Sequence, residues 1–199
     1  SDFVGKILIE IYSKINKNEP IYNIISELEA EIVKISLNGY ITTKLSFANM
    51  ISDLCDTIGA NKKKVLNAIG SDSRVGNKYF KPGYSFGGPC FPRYTKALEL
   101  LVKKNNLNSD LLKATTEYNK EHVIFQANEL LKENKDIYNI KNVCFKENSN
   151  INVIDESAKL KIAEILIKNK KKVIIEDTEL LILEVKKKYG NLFEYKIIN

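Results

Sequence analysis

At 199 residues, with 44% hydrophobic and 28% charged side chains, the chain has the composition of a soluble globular protein of one ordinary domain or two small ones. No apolar run approaches the ~18 residues a membrane span needs, and the opening residues form no signal-peptide pattern. The net charge of +6 is spread over short lysine runs at 62–64, 103–104, 170–172 and 186–188; dispersed in this way, it argues for solvated faces and against a nucleic-acid binder.

In chain order, Val4, Ile7, Leu8, Ile11 and Ile15 recur at helical spacing, as at the end of an α/β unit, and Pro20 leads into an extended stretch, Ile21 to Ile25. Ser26 and Glu29 form a capping box for a helix of about thirty residues, with Gly59 placed to end it. Val33, Leu37, Tyr40, Phe47, Met50, Ile51, Leu54 and Ile58 make a broad apolar stripe, expected to be buried, and Cys55 reads as a core thiol. Lys34 and Asn38, four apart, share a face of the same helix. A short helix from Asn61 to Ile69 closes at Gly70.

The run from Ser71 to Lys96, SDSRVGNKYFKPGYSFGGPCFPRYTK, gathers glycines at 76, 83, 87 and 88 and prolines at 82, 89 and 92 around Cys90. Gly87-Gly88 lets the backbone approach a ligand closely, and Pro92 can open a helix at its first position. A cysteine at a helix N-terminus has its thiolate favoured by the N–H groups exposed there. Thr95 to Lys104 continues as a helix and Asn105-Asn106 breaks it. Ser109 opens another, to about Lys135, with Leu111, Ala114, Tyr118 and Phe125 on its inner face. His122, the single histidine, has no carboxylate at an evident spacing and reads as structural or exposed.

In the last third the period changes. Asn142 to Phe145 reads as a strand containing Cys144, Ser157 to Lys168 as a helix, Val173 to Ile175 as a buried strand ending in Glu176-Asp177, then a Thr178-capped helix ending before Gly190 and an extended run from Leu192 to Ile198. Alternating strands and helices imply a parallel layer. The three cysteines show no CxxC spacing and read as reduced thiols of a cytoplasm; no metal-ligand cluster is expected. No glycines are spaced as GxG, so the dinucleotide fingerprint is missing.

The run SDSRVGNKYFKPGYSFGGPCFPRYTKAL resembles the central signature of the UDP-glucose dehydrogenase family, and Glu29 to Gly59 resembles the helical segment that precedes it there. The likeness spans Pro20 to Leu101 and continues through Tyr118-Asn119 into Phe145-Lys146. It implies a mainly α fold with an α/β part: a helical dimerisation domain with a long central helix, then a small, partial Rossmann-like parallel sheet. The expected division is residues 1–25 as the tail of an N-terminal nucleotide-binding domain, 26–136 as the helical domain, and 137–199 as part of a C-terminal UDP-binding domain.

By the same resemblance, Cys90 is the nucleophile that traps an aldehyde as a thiohemiacetal and then carries a thioester. Lys34 stabilises charge on oxygen and Asn38 positions groups by hydrogen bonds. Arg74 reaches the substrate of a neighbouring subunit, Tyr79, Lys81 and Gly87 line the sugar-nucleotide pocket, Phe145 and Lys146 bind UDP, and Arg93 keeps a positive charge on the cofactor side. Tyr94 departs from the family, which has an aspartate there; a phenol of pKa about 10 is a poor general base near neutrality. The arginine expected after Phe145-Lys146 is also missing, and Asn150 to Glu156 looks longer than its counterpart. The expectation is a fragment of a cytoplasmic, homodimeric UDP-sugar dehydrogenase, with NAD held mainly by a domain not in this chain and no turnover by the chain alone. The alternative is a dimerisation module that has kept the fold without the chemistry.

Overall fold

The computed structural model describes residues 2–146 and 152–198, with the backbone alone for Asp2, in two compact units that divide after Lys34. The first holds helix α1 (Asp2–Ile15), an irregular stretch over 16–26, and the opening turns of α2 (Glu27–Ile58). Its capping box forms as expected: Ser26 N–H and Oγ donate to Glu29 Oε2 at 2.7 and 2.8 Å, and Glu29 N–H donates to Ser26 Oγ at 3.3 Å. These bonds satisfy donors that the first helical turn otherwise leaves open.

The second unit carries the rest of α2, then α3 (Lys62–Gly70), α4 (Phe91–Lys104), α5 (Asp110–Lys132), β1 (Ile137–Lys141), α6 (Ala158–Lys168), β2 (Lys172–Asp177), α7 (Glu179–Tyr189) and β3 (Glu194–Ile197). The strands pair in the order β1-β2-β3, all parallel, with Tyr138 opposite Val173 and Ile175 opposite Tyr195. The fold is therefore mainly α with a small parallel sheet, as expected. Helix ends follow local chemistry: Asn61 accepts from Lys64 N–H, Ser157 accepts from Leu160 N–H, and Gly190 ends α7 at φ 57°.

Four expectations need correction. The apolar stripe of α2 is not buried: Leu37, Tyr40, Phe47, Met50, Leu54 and Ile58 are all exposed, while Gly39, Thr42, Ser46, Asn49 and Asp53 face inward. Small polar side chains suit that inner face because α4 and α5 approach it closely. A Cβ on Gly39 would lie 2.7 Å from Leu98 Cδ2, Thr42 Oγ1 bonds Thr95 Oγ1 at 2.9 Å, and Ser46 Oγ donates to Thr115 O at 3.1 Å. Likewise Leu111 and Ala114 of α5 face outward, and Leu112, Thr115, Asn119, His122 and Val123 face inward.

Third, the first strand lies at 137–141 rather than at 142–145, because Asn142 takes φ 55° and ends it; Cys144 is thus a half-buried loop thiol, not a strand residue. Asn tolerates this left-handed conformation, which a strand cannot continue through. Fourth, α4 starts at Phe91, so Pro92 is its second residue rather than its first. The segment 147–151, which includes part of the stretch expected to be altered, lies outside the described residues.

The apolar core sits in the α/β part, where Leu160, Ile162, Leu166, Val173, Ile175, Ile182 and Val185 are almost wholly buried. A smaller cluster of Ala48, Leu66 and Phe80 seats α3 against α2. No helix among the described residues is long and apolar enough to cross a membrane.

Candidate functional site

The glycine- and proline-rich run folds as a loop that enters α4 at Cys90. Cys90 is the N-cap of that helix, exposed, with no side-chain capping bond of its own. It lines a cavity of about 810 Å³ together with Leu45, Tyr79, the loop from Pro82 to Gly87, Cys144, Phe145, Lys146 and Lys159. That volume suits a small-molecule ligand.

The loop is held from two sides. Residues of α5 grip its backbone: Asn119 Oδ1 accepts from Phe86 N–H at 2.8 Å, Asn119 Nδ2 donates to Phe86 O at 3.0 Å, and Ser85 Oγ donates to Asn119 O at 2.6 Å. His122 Nε2 lies 2.9 Å from Gly83 O, which also accepts from Gln126 Nε2 at 3.1 Å. From the α/β part, Asp155 O accepts from Gly88 N–H at 2.9 Å. A side chain at Gly87 would meet Glu156 O at 2.2 Å, and one at Gly88, whose φ is 78°, would strike the Phe145 ring at 2.4 Å. The two glycines thus admit a close approach, but of the chain's own second part.

Aromatic rings finish the wall. Phe91 meets Tyr79 and Phe86 edge-on at 6.5 and 6.4 Å. Tyr79 holds φ 57°, a conformation bulky residues rarely adopt and one that costs of order 1–3 kcal/mol. Lys159 Nζ stands 4.8 Å over the Tyr84 ring and donates to Lys141 O at 3.1 Å. Asp177 Oδ2 accepts from Val143 N–H at 2.8 Å and so anchors the segment that carries Cys144, Phe145 and Lys146.

Of the residues expected at the site, the cavity brings together Cys90, Tyr79, Gly87, Phe145 and Lys146. Asn38, half-buried on α2, and Lys81, exposed in the loop, do not line it. Arg74 is exposed and paired with Asp72 at 2.6 Å, which raises the guanidinium's pKa and lowers that of the carboxyl. Arg93 is exposed and donates from Nε to Pro89 O at 3.1 Å, bracing the turn before Cys90. Tyr94, in the first turn of α4, donates its backbone N–H to Cys90 O at 2.9 Å. Lys34 is exposed at the end of the first unit.

Of the two readings of His122, structural or exposed, the structure bears out the first. His122 is 2% exposed, and its Nδ1 lies 2.8 Å from Asp53 Oδ2, sixty-nine positions away. The sequence carries a signal for this grip: Asn119, His122 and Gln126 fall at i, i+3 and i+7, one polar face of α5. Asp53, brought in by α2, had no local signal.

No group of three or more His, Cys, Asp or Glu among the described residues could hold a metal ion. A dinucleotide finds no cradle among them either. The turn from β2 to α7 is Thr178 alone, the link from β1 to α6 contains no glycine, and the space beside Gly87 and Gly88 is filled by Glu156 and Phe145.

Residues 28–121 match the profile of the UDP-glucose/GDP-mannose dehydrogenase family, central domain. The chain is 38% identical over 102 residues to UDP-glucose 6-dehydrogenase TuaD of Bacillus subtilis (strain 168), a match covering 51% of this chain and 22% of that protein. It is 36% identical over 115 residues to the UDP-glucose 6-dehydrogenase of Rickettsia bellii (strain RML369-C), covering 58% and 26%. Among solved structures, a UDP-glucose dehydrogenase from the hyperthermophilic archaeon Pyrobaculum islandicum superposes with a TM-score of 0.84 at 26% identity, over 98% of this chain and 45% of that one. The chain thus corresponds to less than half of that structure, and its matches span about a quarter of the two bacterial relatives. Residues 28–121, which hold its helices and cysteine loop, thus match the central domain of the UDP-glucose/GDP-mannose dehydrogenase family.

Proposed function

We propose that this chain is the substrate-holding part of a UDP-sugar dehydrogenase and that Cys90 is its nucleophile. The observation that carries the reading is the convergence of Cys90, Tyr79, Gly87, Phe145 and Lys146 on one cavity, drawn from both the helical and the α/β parts of the chain. A nucleotide sugar offers a flat base, a diphosphate and a reactive sugar carbon. The Tyr79–Phe91–Phe86 ring cluster, the ammonium groups of Lys146 and Lys159, and the exposed thiol answer these three in kind.

In the chemistry assigned to Cys90, the sulfur lone pair attacks the carbonyl carbon of the sugar aldehyde. A C–S bond forms, the C=O π pair moves to oxygen and is protonated, and the reactive aldehyde is held as a thiohemiacetal. Lys34 is proposed to stabilise charge on that oxygen, and Asn38 to position groups by hydrogen bonds. Arg74 is proposed to serve the substrate of a second copy, Lys81 the nucleotide, and Arg93 the cofactor side. The described residues form no dinucleotide cradle, so Arg93 is proposed only to face NAD, the electron acceptor such enzymes use, rather than to hold it.

A homodimer through the helical part is proposed as well, supported by the exposed apolar face of α2, whose Leu37, Tyr40, Phe47, Leu54 and Ile58 lie open to water. Exposed patches of that kind mark association surfaces. The same face, with Tyr94 where the family has a carboxylate, also supports the second reading, a dimerisation module without catalysis.

The test is alkylation of the full chain by iodoacetamide near neutral pH, resolved by peptide mass spectrometry at Cys55, Cys90 and Cys144. The nucleophile reading expects Cys90 to react first and UDP-glucose to protect it. A slow Cys90, indifferent to UDP-glucose, leaves the dimerisation module.

A further inference from the structure

Beside the cavity lies a buried group that the chemistry above does not use. Asp53 of α2, with His122 and Tyr118 of α5, forms one cluster: the Tyr118 hydroxyl donates to Asp53 Oδ2 at 2.6 Å, and His122 Nδ1 lies 2.8 Å from the same oxygen. The other ring nitrogen, Nε2, lies 2.9 Å from Gly83 O. Gly83 is the second residue of the loop run, Pro82 to Gly87, that walls the Cys90 cavity.

The protons on this ring can be counted from its neighbours. The Gly83 carbonyl can only accept, so Nε2 carries hydrogen. Asp53 Oδ2 already accepts from Tyr118 and faces Nδ1; a bare Nδ1 would set two acceptors against each other where almost no water reaches. Tyr118 does not yield its own proton, since burial first, and the bond to Asp53 second, push its pKa up. The groups facing the ring are therefore Asp53 from α2, Tyr118 and Gln126 from α5, and Gly83 from the loop; Glu121 acts at longer range, through Tyr118.

We propose that His122 is a positioning residue: an imidazolium clamped between the Asp53 carboxylate and the Gly83 carbonyl, which fixes the wall of the Cys90 cavity. It does not touch the reacting atoms and acts only through the loop. Asn119 and Gln126 grip the same loop from the same face of α5, and Asn49 Nδ2 reaches Tyr84 O at 3.3 Å from α2. His122 differs from these three in joining the loop to a buried charge. Without it, the buried Asp53 side chain is left with the Tyr118 hydroxyl as its donor, a costly arrangement in an interior. The role in ligand binding rests on the reading of the cavity given above; the clamp itself does not.

Because the chain has one histidine, its ring gives one unambiguous signal. In the ¹⁵N-labelled full chain at neutral pH, long-range imidazole correlation spectra should show both ring nitrogens protonated. In Asp53→Asn the side-chain amide can donate to Nδ1, and the spectrum should change to one protonated nitrogen, Nε2, and one bare nitrogen. A bare nitrogen in the unsubstituted chain overturns the proposal.

Amide exchange over residues 83–88 reads the loop without any ligand. His122→Phe should speed it about tenfold, the equilibrium change expected for losing a charged hydrogen bond. Should that variant fail to fold, His122→Gln, which can serve only one of the two acceptors, should speed it by a smaller factor. Unchanged exchange in the folded variants also overturns the proposal. UDP-glucose protection of Cys90 is measured on the same samples. Its absence beside an intact clamp signature removes the nucleophile reading and leaves the clamp standing.

Discussion

The helical part of the second unit and its α/β part solve the burial problem in opposite ways. The α/β part hides Leu160, Leu166, Ile175 and Ile182, with Glu176 and Asp177 as its buried charged side chains. The helical part hides Thr42, Ser46, Asn49, Asp53, Thr115 and Asn119, and shows water Leu37, Tyr40, Phe47, Met50 and Leu54. A chain that folds on hydrophobic burial alone would not invert one of its parts. In the helical part α2, α4 and α5 are held together by close packing and hydrogen bonds, and an apolar face of α2 is left open to water.

The comparison breaks most readily in the α/β core. Leu166→Ala, at a fully buried position, should cost about 2–5 kcal/mol in urea unfolding. The join between the parts comes next: Gly88→Ala forces a Cβ into the Phe145 ring at a positive φ and should cost about 1–3 kcal/mol, with slower UDP-glucose protection of Cys90.

Glu99 of α4 is a third probe. It is 4% exposed and held by Lys103 at 2.7 Å and Lys96 at 2.9 Å, and hydrogen bonds from Lys103, then Lys96, keep its pKa below the usual carboxylate range. Its contribution is therefore complete above the ordinary glutamate value of about 4.3 and disappears as pH falls through the lower folded value. Glu99→Gln should cost at most about 1 kcal/mol at neutral pH, because both lysines remain half in water, and should flatten the acid limb of the stability curve. The smallest effect on the fold comes from the outer face of α2. Leu54→Ser should leave the stability of dilute chain within about 0.5 kcal/mol, yet shift the sedimentation profile toward monomer.

Local chemistry made much of this fold legible. The Ser26–Glu29 box, the Asn61 and Ser157 caps and Gly190 each act over three or four residues, and the elements they bound fall close to where the pattern puts them. Periodicity gave the stripe on α2 but not its direction, since an apolar face marks burial without naming what buries it. Ile137-Tyr138-Asn139-Ile140 alternates no more strongly than the residues after it, so the pattern leaves the place of the first strand open; Asn142, turning to positive φ, makes the choice. In the site, the cysteine loop could be read because its glycines and prolines are contiguous. The groups that hold it could not: Asp53 and His122 are sixty-nine positions apart, and only folding makes them neighbours.

Asn119 carries a last consequence. Its side-chain amide pairs with both the N–H and the C=O of Phe86, as a neighbouring strand would. Exchanging that amide for a carboxylate, as in Asn119→Asp, would leave the shape almost unchanged while replacing a donor with a second acceptor opposite the Phe86 carbonyl. One atom's change from donor to acceptor would thus loosen the cavity wall while the helix that carries it stays intact.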